Sequence, residues 1–235
     1  MAKKTPGKLN DPPRQAEFDR LNLSALCREE SGIYYRLHSI DRKTGKLWGP
    51  IHFSKRGNTR FDPADGVGTL CVAQSLKGAM MEIFDDRWGP VGSPGRSITA
   101  QELEEWHVTL VDVPKLKLFD ATGPNLSKIG TDAQLLTGEY SVTREWAARL
   151  MKHPLAIDGI LYRSRHDPSL VNIAIFERHA HLPQSEDNSL DEAGKAKWKR
   201  KSGHKDALVN GPASKLKDHP LVNAALVDLE VAILP

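Results

Sequence analysis

The chain has 235 residues, 39% of them hydrophobic, with 33 Lys+Arg against 30 Asp+Glu and a formal net charge of +3. That fits a globular domain of ordinary size, and so mild a charge gives no case for direct nucleic-acid binding while tolerating an anionic small molecule. Two cysteines, Cys27 and Cys71, exclude a disulfide framework and a cysteine-built metal centre; no run spans a bilayer and no apolar leader opens the chain, so a cytoplasmic protein without membrane contact is the expectation.

Residues 1–13 are basic, rich in Pro and Gly, and read as a disordered tail. A short helix is expected from about Arg14 to Leu26, burying Phe18, Leu21 and Ala25, with Gly32 ending the region. Ile33–His38 reads as a strand, Asp41–Lys46 as a polar turn, and Gly57–Gly68 as a loop that holds Arg60 and Phe61. Thr69–Ala73 is a short strand. Ser75 then suits the N-cap of a helix to about Asp86, with Leu76, Ala79, Met80 and Ile83 as its core stripe and Glu82 at the edge of that stripe.

Trp88–Gly95 is a turn-rich connector. Strands are expected over Trp106–Val113 and Leu116–Ala121, either side of Pro114, and short helical turns over Pro124–Ile129 and Asp132–Leu136. A firmer helix from about Val142 to Lys152 carries Trp146, Ala147 and Leu150 and stops before Pro154. Gly159–Ser164 and Leu170–Phe176 read as strands, the second apolar on both faces and so central in a sheet. Residues 184–218 are polar and charged and read as a flexible segment. The last stretch, Ala224–Leu234 within 219–235, reads as a strand packing on the domain. Strands outnumber long helices without regular alternation, so an α+β domain with a mostly antiparallel or mixed sheet is expected over 14–183.

Four polar residues interrupt this pattern: Arg36 inside the strand IYYRLH, Arg60 in the loop GNTRFDP, Glu82 in an apolar helix, and Ser164 at the end of a core strand. Each alone has a plain surface or turn explanation. Together they make a chemically coherent set. Guanidinium groups suit phosphate through bidentate, charge-assisted bonds. A carboxylate can stabilise positive charge developing on a sugar ring. A hydroxyl both donates and accepts, as a ribose or an amide requires. His179 and His181 lack a third metal ligand at useful spacing, and Trp198 among the basic residues of KAKWKRKSGHK reads as a solvated or partner-binding run.

The segments YYRLH, GNTRFDP…GVGTLCVAQSLKGAMMEIF and DGILYRSRHDPSLVNIAIFE resemble the RES domain family, over about Ile33 to Glu177. The resemblance implies a fold like that of ADP-ribosyltransferase toxins, with a split, strongly bent mixed or antiparallel β-core and flanking helices. It also implies NAD as a substrate, cleaved at the nicotinamide–ribose bond without a metal, and an antitoxin protein as partner. Water, phosphate or a protein side chain remains open as the acceptor, so an NAD glycohydrolase or phosphorylase stands beside an ADP-ribosyltransferase. A non-enzymatic RES-like binding module is the further alternative.

By position the resemblance assigns catalysis to Glu82, Arg36 and Ser164, and NAD binding to Arg36, Arg60, Cys71, Glu82, Tyr162 and Ser164. Where the family usually shows Tyr, this chain has Cys71. Strand alternation puts Tyr162 and Ser164 on one side and Arg163 and Arg165 on the other. The resemblance favours the Ser164 side for the cleft, leaving the two arginines as surface or partner contacts.

Overall fold

The computed structural model describes residues 11–41, 43–54, 59–63, 67–177 and 207–235. The expected basic tail up to residue 10, His179, His181, Trp198 and its basic neighbours lie outside the described residues.

Two long strands frame the sheet, β1 (Cys27–Ser39) and β4 (Trp106–Asp120), antiparallel along nearly their whole length. Both exceed the sequence expectation, and for one reason. The pairing slips by a residue between Glu30 and Gly32, opposite Leu116 and Val113. The extra residue lies on β4, where Pro114 and Lys115 face the single Ser31; Pro114 thus falls where the ladder is interrupted and asks for no N–H, and Gly32 beside it takes a φ of 129° that is open to glycine. Neither residue therefore ends its strand.

From β1 the order runs through β2 (Thr69–Ala73), β6 (Val171–Phe176) and β5 (Gly159–Arg163) to β4, which pairs back onto β1. The sheet thus closes on itself. The β4–β5 pair is parallel, and the other contacts in the circuit are antiparallel. The weakest link is β1–β2, joined only at Tyr35 and Ala73. Beyond that pair the two strands part, and the expected split in a bent, mixed β-core is found there.

The inside of the closed sheet is filled by Tyr34, Leu70, Val72, Val111, Val113, Leu116, Leu118, Leu161, Ile173 and Ile175. Two helical layers cover the outside. One is α6 (Tyr140–Lys152), whose Trp146, Ala147 and Leu150 pack on Phe119, Ile160, Ala174 and Phe176. Its partner α1 spans only Gln15–Phe18. The Asn22 side chain accepts from the Ser24 N–H at 3.2 Å and turns the chain into a 3₁₀ turn at Ser24–Leu26, so the single helix expected over 14–26 does not form and Ala25 is exposed. Phe18 still reaches the core, edge-on to Trp146.

The other layer is α2 (Leu76–Phe84), capped as expected by Ser75, whose Oγ accepts from the Gly78 N–H at 3.1 Å. Against it packs α7 (Val222–Asp228). The reading of 224–234 as one strand is corrected: Val222, Ala225, Leu226 and Leu229 are buried at helical spacing, and only Ala232–Leu234 is extended, as β9, parallel to β3 (Ser97–Thr99). The flexible reading of 184–218 fails for its described part, 207–218. There Leu208 and Leu216 are buried, and β7 (Val209–Asn210) and β8 (Ser214–Lys215) pair with β4. The helix α3 (Ala100–Glu105) leads into β4, and α4 (Asn125–Lys128) and α5 (Gln134–Thr137) belong to the crossover from β4 to β5.

Candidate active site

Where β1 and β2 part, the two outer layers leave a cleft between them. Its cavity volume of about 370 Å³ lies in the range of small-molecule sites. Tyr162 and Cys71 come from the sheet, Glu82, Ile83 and Asp86 from α2 and its 3₁₀ extension, Phe61, Leu136 and Tyr140 from the α6 side, and Trp106 from the start of β4.

Glu82 is the most constrained polar group in it. It sits on the exposed side of α2 with both carboxylate oxygens engaged. The Asn172 Nδ2 donates to Oε1 at 2.8 Å and the Tyr162 hydroxyl donates to Oε2 at 3.3 Å. Burial, then the Glu82 charge, pushes the Tyr162 phenol well above its ordinary range, so it stays a donor. A solvent-facing carboxylate fixed from behind by two donors is preorganised rather than free to swing. Asn172 was not singled out in the sequence, although a polar side chain in the apolar strand VNIAIF was a readable signal; it is 1% exposed.

Arg36 occupies the parting of β1 and β2. Its Nη1 donates to the Cys71 carbonyl at 2.9 Å, a group that β1 leaves unpaired as it diverges. Burial pulls its guanidinium below the ordinary value, but arginine keeps its proton in proteins. Arg60 is held by its loop. The buried Asp62 accepts from Ser54 Oγ, Thr59 N and Thr59 Oγ1, Thr143 Oγ1 donates to the Arg60 carbonyl, and Arg60 Nη1 donates to the Gly138 carbonyl. The Arg60 guanidinium lies 4.5 Å from the centre of the Tyr140 ring. Arg36 Nε and Arg60 Nη2 are buried without a hydrogen-bond partner. An unpaired buried donor costs about 1–3 kcal/mol. Two such donors on cleft-lining cations fit an anionic ligand that is absent from the protein alone.

Cys71 lines the cleft floor. Burial pushes its thiol up to about 12, only partly opposed by Arg36. A thiol held up in this way stays protonated at neutral pH and is no nucleophile there. Iodoacetamide at pH 8 is therefore expected to leave Cys71 intact in the native protein while labelling it in denaturant, as read by peptide mass mapping.

The structure thus brings Arg36, Arg60, Cys71, Glu82 and Tyr162 together around the cleft and leaves Ser164 out of its lining. Ser164 is 1% exposed; its N–H donates to the Leu170 carbonyl and its Oγ accepts from the His166 N–H at 3.3 Å. The hydroxyl shapes a turn. The alternation expected to keep Arg163 and Arg165 off the cleft fails for both: Arg165 follows the end of β5, where the chain turns, and Arg163, the last residue of the strand, borders the cleft beside Tyr162, so that Arg163, Arg165 and His166 all line it. Asp86, Tyr140 and Trp106 join from segments whose sequence gave no sign of it. Among the described residues no cluster of three or more His, Cys, Asp or Glu side chains is placed to hold a metal, and no helix is long and apolar enough to cross a membrane.

The fold and site are those of a mixed α/β domain with an arginine-rich cleft built around a held carboxylate. The RES domain model matches residues 33–199, and the chain belongs to the RES domain family. It is similar in fold to a chain of the crystal structure of the M. tuberculosis MbcT–MbcA toxin–antitoxin complex, with a TM-score of 0.54 and 14% identity over 87% of this chain and 91% of that one. No curated protein matches the sequence.

Proposed function

We propose that this protein consumes NAD by cleaving the nicotinamide–ribose bond and acts as the toxin of a toxin–antitoxin pair. The observation that carries the chemistry is the Glu82 carboxylate, fixed by Asn172 and Tyr162 beside two arginines with unpaired buried N–H groups. Membership of the RES family supports NAD as the substrate, and the fold shared with a chain of a toxin–antitoxin complex supports an antitoxin as the partner.

In this reading Arg36 and Arg60 hold the diphosphate, and the dinucleotide lies with its nicotinamide ribose against Glu82. Nicotinamide leaves as a neutral ring, taking the electron pair of the C1′–N bond, so little acid assistance is needed. The barrier is the oxocarbenium-like ribose, and the Glu82 charge stabilises it near the 2′-hydroxyl. Water or phosphate then bonds to C1′; when water attacks, its proton goes to solvent. Positioning and a fixed field supply the acceleration. Ser164 contributes by holding the turn that carries Arg165 and His166.

The purified protein incubated with NAD is expected to release nicotinamide. ADP-ribose is the co-product in phosphate-free buffer, and an ADP-ribose phosphate ester appears instead if phosphate is the acceptor, both identified by mass spectrometry. A covalent ADP-ribose adduct on an added protein target would move the reading to a transferase. No nicotinamide release in either buffer would remove it.

A further inference from the structure

The cleft mouth holds a cluster that the catalytic reading leaves unused. Asp86 follows Glu82 by four residues, one turn further along the same face. Its Oδ1 is paired with Arg165 Nη2 and lies 3.6 Å from His166 Nε2, and Arg165 Nε donates to that same His166 nitrogen at 3.0 Å. All three side chains line the cleft. The pair therefore joins the end of α2 to the β5–β6 turn across the opening.

Two features make this contact exchangeable. Asp86 is 65% exposed and Arg165 28%, and ion pairs so open to water hold weakly. The turn does not depend on it either. Lys77 on α2 pairs with Asp167 at 3.4 Å, Ser164 and Leu170 close the loop through their backbones, and Arg163 is engaged by the Thr122 and Pro168 carbonyls. Arg165 can thus change partner while its backbone stays in place. A diphosphate entering the cleft offers several anionic oxygens where Asp86 offers one carboxylate, and guanidinium groups take such oxygens bidentately.

We infer that Asp86 is a built-in competitor for Arg165, which a diphosphate must displace on entering the cleft. Arg165 then becomes a further determinant of affinity for diphosphate-bearing ligands. The choice of a dinucleotide as that ligand rests on the NAD reading above; the exchange itself does not.

The test is equilibrium binding, by calorimetry, of inorganic pyrophosphate, ADP-ribose and adenosine to the wild type, Asp86→Asn, Arg165→Met and the double variant, with thermal melts confirming that each is folded. Asp86→Asn is expected to tighten pyrophosphate and ADP-ribose by about three- to tenfold. Adenosine affinity should not change, Arg165→Met should weaken both anions, and Asp86→Asn should have no effect in the Arg165→Met background. Unchanged or weaker anion binding in Asp86→Asn overturns the exchange. So does tightening that persists without Arg165, since it reports only the removal of a negative charge. If ADP-ribose binds and Asp86 proves irrelevant, the NAD reading stands and the exchange falls. If pyrophosphate shows the Arg165-dependent gain and ADP-ribose does not bind, the exchange stands and the NAD reading falls. Failure of pyrophosphate and ADP-ribose alike to bind any variant overturns both.

Discussion

Glu82→Gln is expected to yield a folded protein whose NAD turnover has dropped by about 10²–10³-fold, the usual cost of one preorganised electrostatic group. The substitution removes the charge and keeps the shape. Asn172 Nδ2 goes on donating to Oε1. The Tyr162 hydroxyl, now facing an amide N–H, turns to accept, and its proton has the Cys71 sulfur within reach. The change strands no buried polar group beyond Asn172 Oδ1, which already lacks a partner, so the melting temperature should stay close to wild type. ADP-ribose affinity should hold or improve, because a negative charge has left the cleft that an anionic ligand would enter. The loss should then fall on kcat, as expected for an interaction realised in the transition state. Initial rates of nicotinamide release across a range of NAD concentrations check this. Wild-type kcat in the variant would remove Glu82 from the chemistry.

What the sequence disclosed and what it hid have distinct physical origins. Arg36, Arg60 and Glu82 were legible because each breaks an apolar period or a turn pattern where a neutral residue would serve. Ser164 was legible by residue type alone, and its role was not. The alternation rule holds only while the chain is a strand, and β5 ends at Arg163. The hydroxyl then bonds the backbone of the turn, and Arg165 faces the cleft. Pro114 reads as a strand break in one dimension; it is harmless in three because it sits in the bulge of β4, where the ladder asks for no N–H. The run 224–234 is apolar except for Asp228 and Glu230, so type could be settled only by spacing, and the positions of Val222, Ala225, Leu226 and Leu229 make its first part a helix. Asp86, Tyr140 and Trp106 reach the cleft only because the sheet closes from β4 back to β1 and brings both outer layers to the same opening. Closure is a property of the whole strand order, and no local pattern encodes it.

That dependence on closure leads to Gly159, where an added methyl group is expected to cost about 3 kcal/mol of stability, at the upper end for overpacking a core. Gly159 pairs with Leu118 of β4 on one side and Ile175 of β6 on the other. A Cβ there would collide with the Ala174 carbonyl oxygen and lie 3.1 Å from both Ile175 Cα and Leu118 Cδ2. Two of those atoms are backbone, so no rotamer change relieves the contact; β5 must shift away from β6. The neighbouring bonds resist that shift: Phe176 N donates to the Asp158 carbonyl at 2.9 Å, and Asp158 N donates to the Lys117 carbonyl at 2.8 Å. Three residues along β5 stands Tyr162, whose hydroxyl holds Glu82, so the displacement reaches the site as well as the core. Gly211→Ala is the control. Its added Cβ meets only the Leu110 carbonyl oxygen, at 3.7 Å, and it should stay within about 0.5 kcal/mol of wild type. Denaturant midpoints for the two variants decide the matter. Gly159→Ala should unfold at clearly lower urea with an unchanged slope, and its surviving folded fraction should release nicotinamide more slowly than wild type. Equal midpoints for Gly159→Ala and Gly211→Ala would mean that the β5–β6 contact has room to give, and that the closed sheet does not fix Tyr162 against Glu82 as tightly as the packing at Gly159 implies.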